Sequence, residues 1–149
     1  MALMVLTTVQ PAKSRKLYTL FLENCSFSGK TGAGQGSAIS ANGTQAIFHH
    51  LTVANNNASG SGLVLWGTQT TMINSIIAGL SNDAVLTGNG GIFTIQSTNN
   101  LLSAPTASGL TNGTNGNQLG VALPSLLLAS LGNNGGPTPT IAAVRAVSP

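Results

Sequence analysis

The sequence predicts an all-β chain, a solenoid of parallel β-helix turns about 25 residues long and at least four in number. Three observations predict it. Hydrophobic residues make up 42% of the 149 positions but charged residues only 5%, with Gly, Asn, Ser and Thr filling the difference. Lys and Glu, the usual residues of exposed helix faces, are almost absent, which favours strands and turns. Asn24, His50, Asn74 and Asn99 recur at spacings of 26, 24 and 25, each followed by a short apolar stretch. A period of that length, poor in helix formers, indicates stacked strands rather than helical repeats.

Residues 1–16 are expected to form an irregular N-terminal arm. Three of the five cations sit in it at Lys13, Arg15 and Lys16. A nucleic-acid surface needs cations spread along a groove with aromatics between them, so no nucleic-acid partner is expected. The apolar start precedes those charges, the reverse of a secretory signal. The single cysteine, Cys25, excludes a disulfide framework and a thiolate metal site and reads as a small buried residue.

Residues 17–103 carry the turns. Asn24, His50, Asn74 and Asn99 take the bend, because Asn tolerates the left-handed conformation and its amide can replace a backbone partner. Stacked amides there form a ladder along the axis, weakened at His50. Strand alternation then turns Cys25, Leu51 and Ser75 inward, followed by Phe27, Val53, Ile77 and Leu102, with Leu22, Phe48 and Met72 inward before the bend. Each strand pairs with its equivalent one turn away, at about 4.8 Å. A second register supports the first: "GSAISANGT" at 36–44 matches "GSGLVLWGT" at 60–68. Asn100 falls at an inward position, which suggests a one-residue slip of register in the fourth turn.

Residues 104–149 read as a Gly/Asn/Thr-rich loop and a closing segment. The run 104–118 has the composition of a loop bulging from the stack. "GVALPSLLLASLG" at 120–132 is a last strand pair or a short capping helix with Pro124 in its first turn; it is too short to span a membrane.

The tail "NGGPTPTIAAV" at 134–144 adds a more specific signal. With the repeat, it resembles bacterial secreted or surface proteins built from right-handed parallel β-helix repeats. Those proteins often close with an Asn-Gly-Gly-Pro-Thr-x-Thr-x-Ala-Leu segment; Ala143-Val144 stands here where Ala-Leu is usual. The resemblance covers roughly residues 17–149 and implies a right-handed coil and an extracellular or cell-surface location. Such arrays are usually longer and carry an N-terminal cap and an export signal. Neither is read here, so the chain is expected to be a fragment of a longer protein whose open ends favour self-association.

Catalysis is not expected. Glycosidase chemistry needs two carboxyl groups flanking the bond, and the two acids, Glu23 and Asp83, are 60 residues apart. His49 and His50 are adjacent, so on a strand they point opposite ways, and no nearby Asp, Glu or Cys completes a metal shell. The stretch "GKTGAGQG" at 29–36 lacks the Gly-Lys-Ser/Thr ending at the spacing a phosphate loop requires, and no helix is expected after it. No cofactor and no metal follow. Trp66, matched to Asn42 one turn earlier, should sit at the rim with Thr68 beside it, where an indole can stack on a sugar ring; the alternative is that it packs under a neighbouring loop. The function expected is a non-catalytic structural or adhesive module with a cell-surface partner. The alternatives are a carbohydrate-binding or polysaccharide-processing site at Trp66, Asn42 and Thr68, and a self-associating assembly unit.

Overall fold

Three parallel sheets organise the described chain, the middle and trailing ones taking a strand from each of four repeats and the leading one a strand from three. The computed structural model describes residues 3–9, 17–30, 36, 38–56, 62–79, 85–137 and 139–143. Strand β1 (Leu3–Val9) comes first, followed by a first repeat with β2 (Leu17–Glu23) and β3 (Ser26–Phe27). The second repeat holds β4 (Ile39–Asn42), β5 (Gln45–His49) and β6 (Thr52–Val53), and the third holds β7 (Leu63–Trp66), β8 (Gln69–Ile73) and β9 (Ile76–Ile77). The fourth holds β10 (Val85–Gly88), β11 (Ile92–Phe93) and β12 (Leu101–Leu102). A short helix α1 (Leu123–Leu126) and the strands β13 (Leu128–Gly132) and β14 (Thr140–Ala143) close the described chain. The described residues are all-β apart from α1.

The strands sort into a leading sheet β4-β7-β10, a middle sheet β2-β5-β8-β11 and a trailing sheet β3-β6-β9-β12, every neighbouring pair parallel. The register is that of the repeat: Leu22 opposite Phe48 opposite Met72, and Phe27 opposite Val53 opposite Ile77 opposite Leu102. Those columns build one core, in which Phe48, Leu51, Leu63, Leu65, Met72, Ile77 and Leu102 are fully buried. Each such side chain contributes about 1.5–3 kcal/mol of burial free energy.

Two corners turn the chain between sheets. The trailing corner is the Asn/His column, and its φ angles are 53° at Asn24, 53° at His50, 50° at Asn74 and 56° at Asn99. Left-handed backbone costs most residues about 1–2 kcal/mol, which Asn largely escapes. The leading corner falls at Gly43 and Gly67, with φ of 61° and 57°, where glycine removes that cost.

Three sequence expectations give way to the structure. Register does not slip at Asn100: Leu101 pairs with Ile76 and Leu102 with Ile77, and Asn100 is inward and buried. Its polarity is absorbed by hydrogen bonds rather than by water. The run 104–118 has the turns and bends of a loop, with 111–116 exposed, but its backbone returns to bond the fourth repeat. It forms a shortened fifth repeat, in which Gln118 bridges Leu101, Phe93 donates to the Ser108 carbonyl, and Asn115 (φ 51°) continues the bend column by accepting from the Asn99 amide. The irregular arm expected over 1–16 is a strand at Leu3–Val9, which pairs antiparallel with β2 and borders the middle sheet. The rest of that arm, including Lys13, Arg15 and Lys16, lies outside the described residues.

The closing segment packs sideways. β13 and β14 form an antiparallel hairpin. Leu126, Leu128 and Ile141 rest on Ile76 and Leu101 of the trailing sheet and on Ala54 and Ala78 just beyond its strands, and Asn55 Nδ2 donates to the Ala129 carbonyl at 2.9 Å. The segment 120–132 holds both a short helix and a strand: Pro124 sits in the first turn of α1, Leu127 ends it at φ 45°, and β13 follows. The Asn-Gly-Gly-Pro stretch is the hairpin loop, clamped by Asn134 Nδ2 donating to the Thr140 carbonyl at 2.9 Å. Residues 144–149 lie outside the described residues.

Candidate functional site

The bend column does not carry the ladder expected of it. At Asn24, His50, Asn74 and Asn99 the backbone amide donates to a carbonyl of the next repeat, at 3.0, 3.0, 3.1 and 2.9 Å, while all four side chains are exposed. Between side chains of this column the described residues hold one bond, Asn74 Nδ2 to His50 Nε2 at 3.3 Å. His50 is therefore a participant and not the weak point.

The side-chain ladder runs one position later and is buried. The left-handed bend turns the next amide toward the interior, away from the strand ladder, so it needs an acceptor from inside. The Leu51 amide donates to Ser75 Oγ at 3.1 Å, the Ser75 amide to Asn100 Oδ1 at 3.0 Å, and the Asn100 amide to Asn117 Oδ1 at 3.1 Å. The remaining polar atoms are also held: Ser75 Oγ donates to the Ile73 carbonyl, Asn100 Nδ2 to the Met72 carbonyl, and Asn117 Nδ2 to the Ser97 carbonyl. A parallel device sits beneath the middle sheet, where the Met72 amide donates to Ser97 Oγ at 3.1 Å. Cys25 begins the column, buried, its thiol donating to the Glu23 carbonyl.

Trp66 ends β7 on the outer face of the leading sheet, beside Asn42 on one flank and Gly88 on the other. Asn42 is exposed and Trp66 half-buried. A β-carbon at position 88 would stand 3.3 Å from Cε3 and Cζ3 of the indole, so the ring lies against the bare α-carbon of Gly88. Val64, on the same face by alternation, is only 2% exposed, so this face is open at its end and covered at its centre.

Thr68 does not belong to that rim. It is fully buried, and its hydroxyl lies 3.2 Å from the Ala41 carbonyl and 3.1 Å from the Trp66 carbonyl. The left-handed corner at Gly67 resets the alternation, so the residue after it faces the core and cannot reach a ligand on the surface.

The titratable groups are dispersed. His49 is half-buried on the outer face of the middle sheet, edge-on to Phe21 with ring centroids 5.7 Å apart, and His50 is exposed at the bend. Glu23 is exposed, and Asp83 lies outside the described residues. Among the described residues no three His, Cys, Asp or Glu come together, and no helix is long and apolar enough to cross a membrane. Compared with protein-family models, with curated proteins and with solved structures, the chain finds no match in any of the three.

Proposed function

We propose that the chain is a right-handed parallel β-helix that serves as a non-catalytic structural or adhesive module of a secreted or cell-surface protein. The observation that carries this reading is the commitment of four buried polar side chains to backbone groups. Ser75, Ser97, Asn100 and Asn117 all spend their side chains on the backbone of neighbouring repeats, which is the chemistry of a stiff scaffold rather than of a reaction centre. The three in-register parallel sheets around one apolar core support the coil, and the lateral hairpin supports a closing role for the Asn-Gly-Gly-Pro-Thr segment. The test is a turnover screen on pectin-like and neutral polysaccharides with and without calcium, run beside a cell-surface adhesion assay. Silence in the first and retention in the second is the expected pair; turnover of any polymer contradicts the proposal.

A second reading rests on the Trp66 platform. An indole lying on a glycine, with the exposed Asn42 amide alongside, presents an apolar plane and a hydrogen-bonding edge, the pair of features that a sugar ring uses. A glycan-binding screen on the wild-type chain and Trp66→Ala tests it. Equal signal from both removes the platform from consideration.

A further inference from the structure

The fifth repeat is short, and what it omits leaves an opening. In the fourth repeat the chain travels from Ile77 in the trailing sheet to Phe93 in the middle sheet by way of β10 in the leading sheet. In the fifth it passes from Leu102 to Ser108, which accepts the Phe93 amide at 2.8 Å, with no leading strand between. Ala104 and Ala107 cross the end of the core on the way, both buried in it. β10 is consequently an edge strand of its sheet among the described residues.

Between that edge and the crossing segment lies an open cavity of about 620 Å³. Its lining combines the hydroxyl- and amide-bearing Thr87, Thr106, Ser108, Thr111 and Asn112 with the apolar Leu110 and Leu119. Among the described residues, none that lines it carries a charge. The volume falls within the range of small-molecule sites, roughly 300–1,000 Å³.

The geometry points to this cavity as a binding site for a short neutral saccharide. Hydroxyl and amide groups can donate and accept in the same site, which suits a ligand whose every substituent is a hydroxyl. The apolar part of the lining suits the C–H face of a pyranose, and among the described residues no cation lines the site to partner a uronate or phosphate. An added peptide strand fits less well. The Thr87 hydroxyl donates to Ser108 Oγ at 2.9 Å, and that bond pins the crossing segment against β10 where a new strand would have to lie. The site is separate from Trp66, which stands on the outer face of the same sheet, and it does not depend on sugar binding at the indole.

The experiment is a titration of the isotope-labelled full chain with maltotriose, cellotriose, chitotriose and tri-galacturonate, followed by amide chemical shifts. Saturable shifts at Thr87 and across residues 105–112 with at least one neutral trisaccharide, and none with tri-galacturonate, are expected. Thr106→Ala and Thr111→Ala remove exposed hydroxyls without touching the core, and each should weaken binding about fivefold, the loss of one neutral hydrogen bond. Trp66→Ala should leave it unchanged. The proposal is overturned if no neutral trisaccharide moves these amides, if the shifts follow Trp66, or if tri-galacturonate binds equally well.

Discussion

Asn100 and Asn117 stack in the closed interior of the protein. Asn100 Nδ2 donates to Asn117 Oδ1 at 2.9 Å, and the same oxygen accepts the Asn100 backbone amide at 3.1 Å. Both residues are essentially without exposure, so water cannot substitute for either bond. The pair joins the fourth repeat to the shortened fifth, and through Asn100 Oδ1 to Ser75 it reaches the third.

Replacing Asn100 with Leu should therefore cost far more than polarity scales suggest. The change leaves the Ser75 amide without its acceptor, and each buried amide so stranded costs about 1–3 kcal/mol. The lost contacts to Asn117 and the Met72 carbonyl add to this, giving an expected loss of about 3–5 kcal/mol in urea unfolding. Ser75→Ala strands only the Leu51 amide and should cost about 1–3 kcal/mol.

The bend column should respond to backbone and not to side-chain chemistry. Asn74→Gly keeps the left-handed angle and loses one exposed contact, so stability should move by no more than about 0.5 kcal/mol. Asn74→Val forces a β-branched residue into the same angle and should cost about 2 kcal/mol. If the glycine variant proved as damaging as the valine variant, the exposed amides would be the true ladder.

Gly88 should report on Trp66. Gly88→Val places side-chain atoms where the indole now lies, so the ring must leave the sheet. Trp66 is the single tryptophan, which makes its fluorescence unambiguous. The emission should shift to the red and acrylamide quenching should rise, while circular dichroism stays that of the parent chain. An unchanged spectrum would mean that the ring does not rest on Gly88.

The lateral hairpin should open before the core. It rests on a small apolar cluster, and its loop is held by Asn134. Asn134→Ala should accelerate amide exchange in β13 and β14 and leave β5, β8 and β9 protected. Uniform acceleration across all strands would instead make the hairpin part of the cooperative unit.

Much of this arrangement is legible in the amino-acid sequence. The Asn column sets the period because a left-handed corner tolerates few residue types, and the apolar columns on either side of it follow from alternation. Asn100 misleads because a polar inward residue in one sequence looks like a slip, and its partner Asn117 lies outside the period of about 25. The distance shrinks there because the fifth repeat drops its leading strand. Thr68 misleads for a different reason: the corner at Gly67 reverses which face follows, and a pattern read straight through Trp66 puts the hydroxyl in water. Leu3–Val9 is a plain apolar stretch without a repeat partner, so the period is silent about it. The saccharide-sized cavity is invisible in sequence because it is made by an omission.

The measurement that tests the stacked-repeat account most directly is a set of inter-repeat proton contacts by nuclear magnetic resonance. Contacts linking the backbone of Ser26 to Thr52, Thr52 to Ile76, Ile76 to Leu101 and Leu101 to Gln118 are the predicted result. Contacts displaced by one residue from Asn99 onward, or none between Leu101 and Gln118, would contradict it.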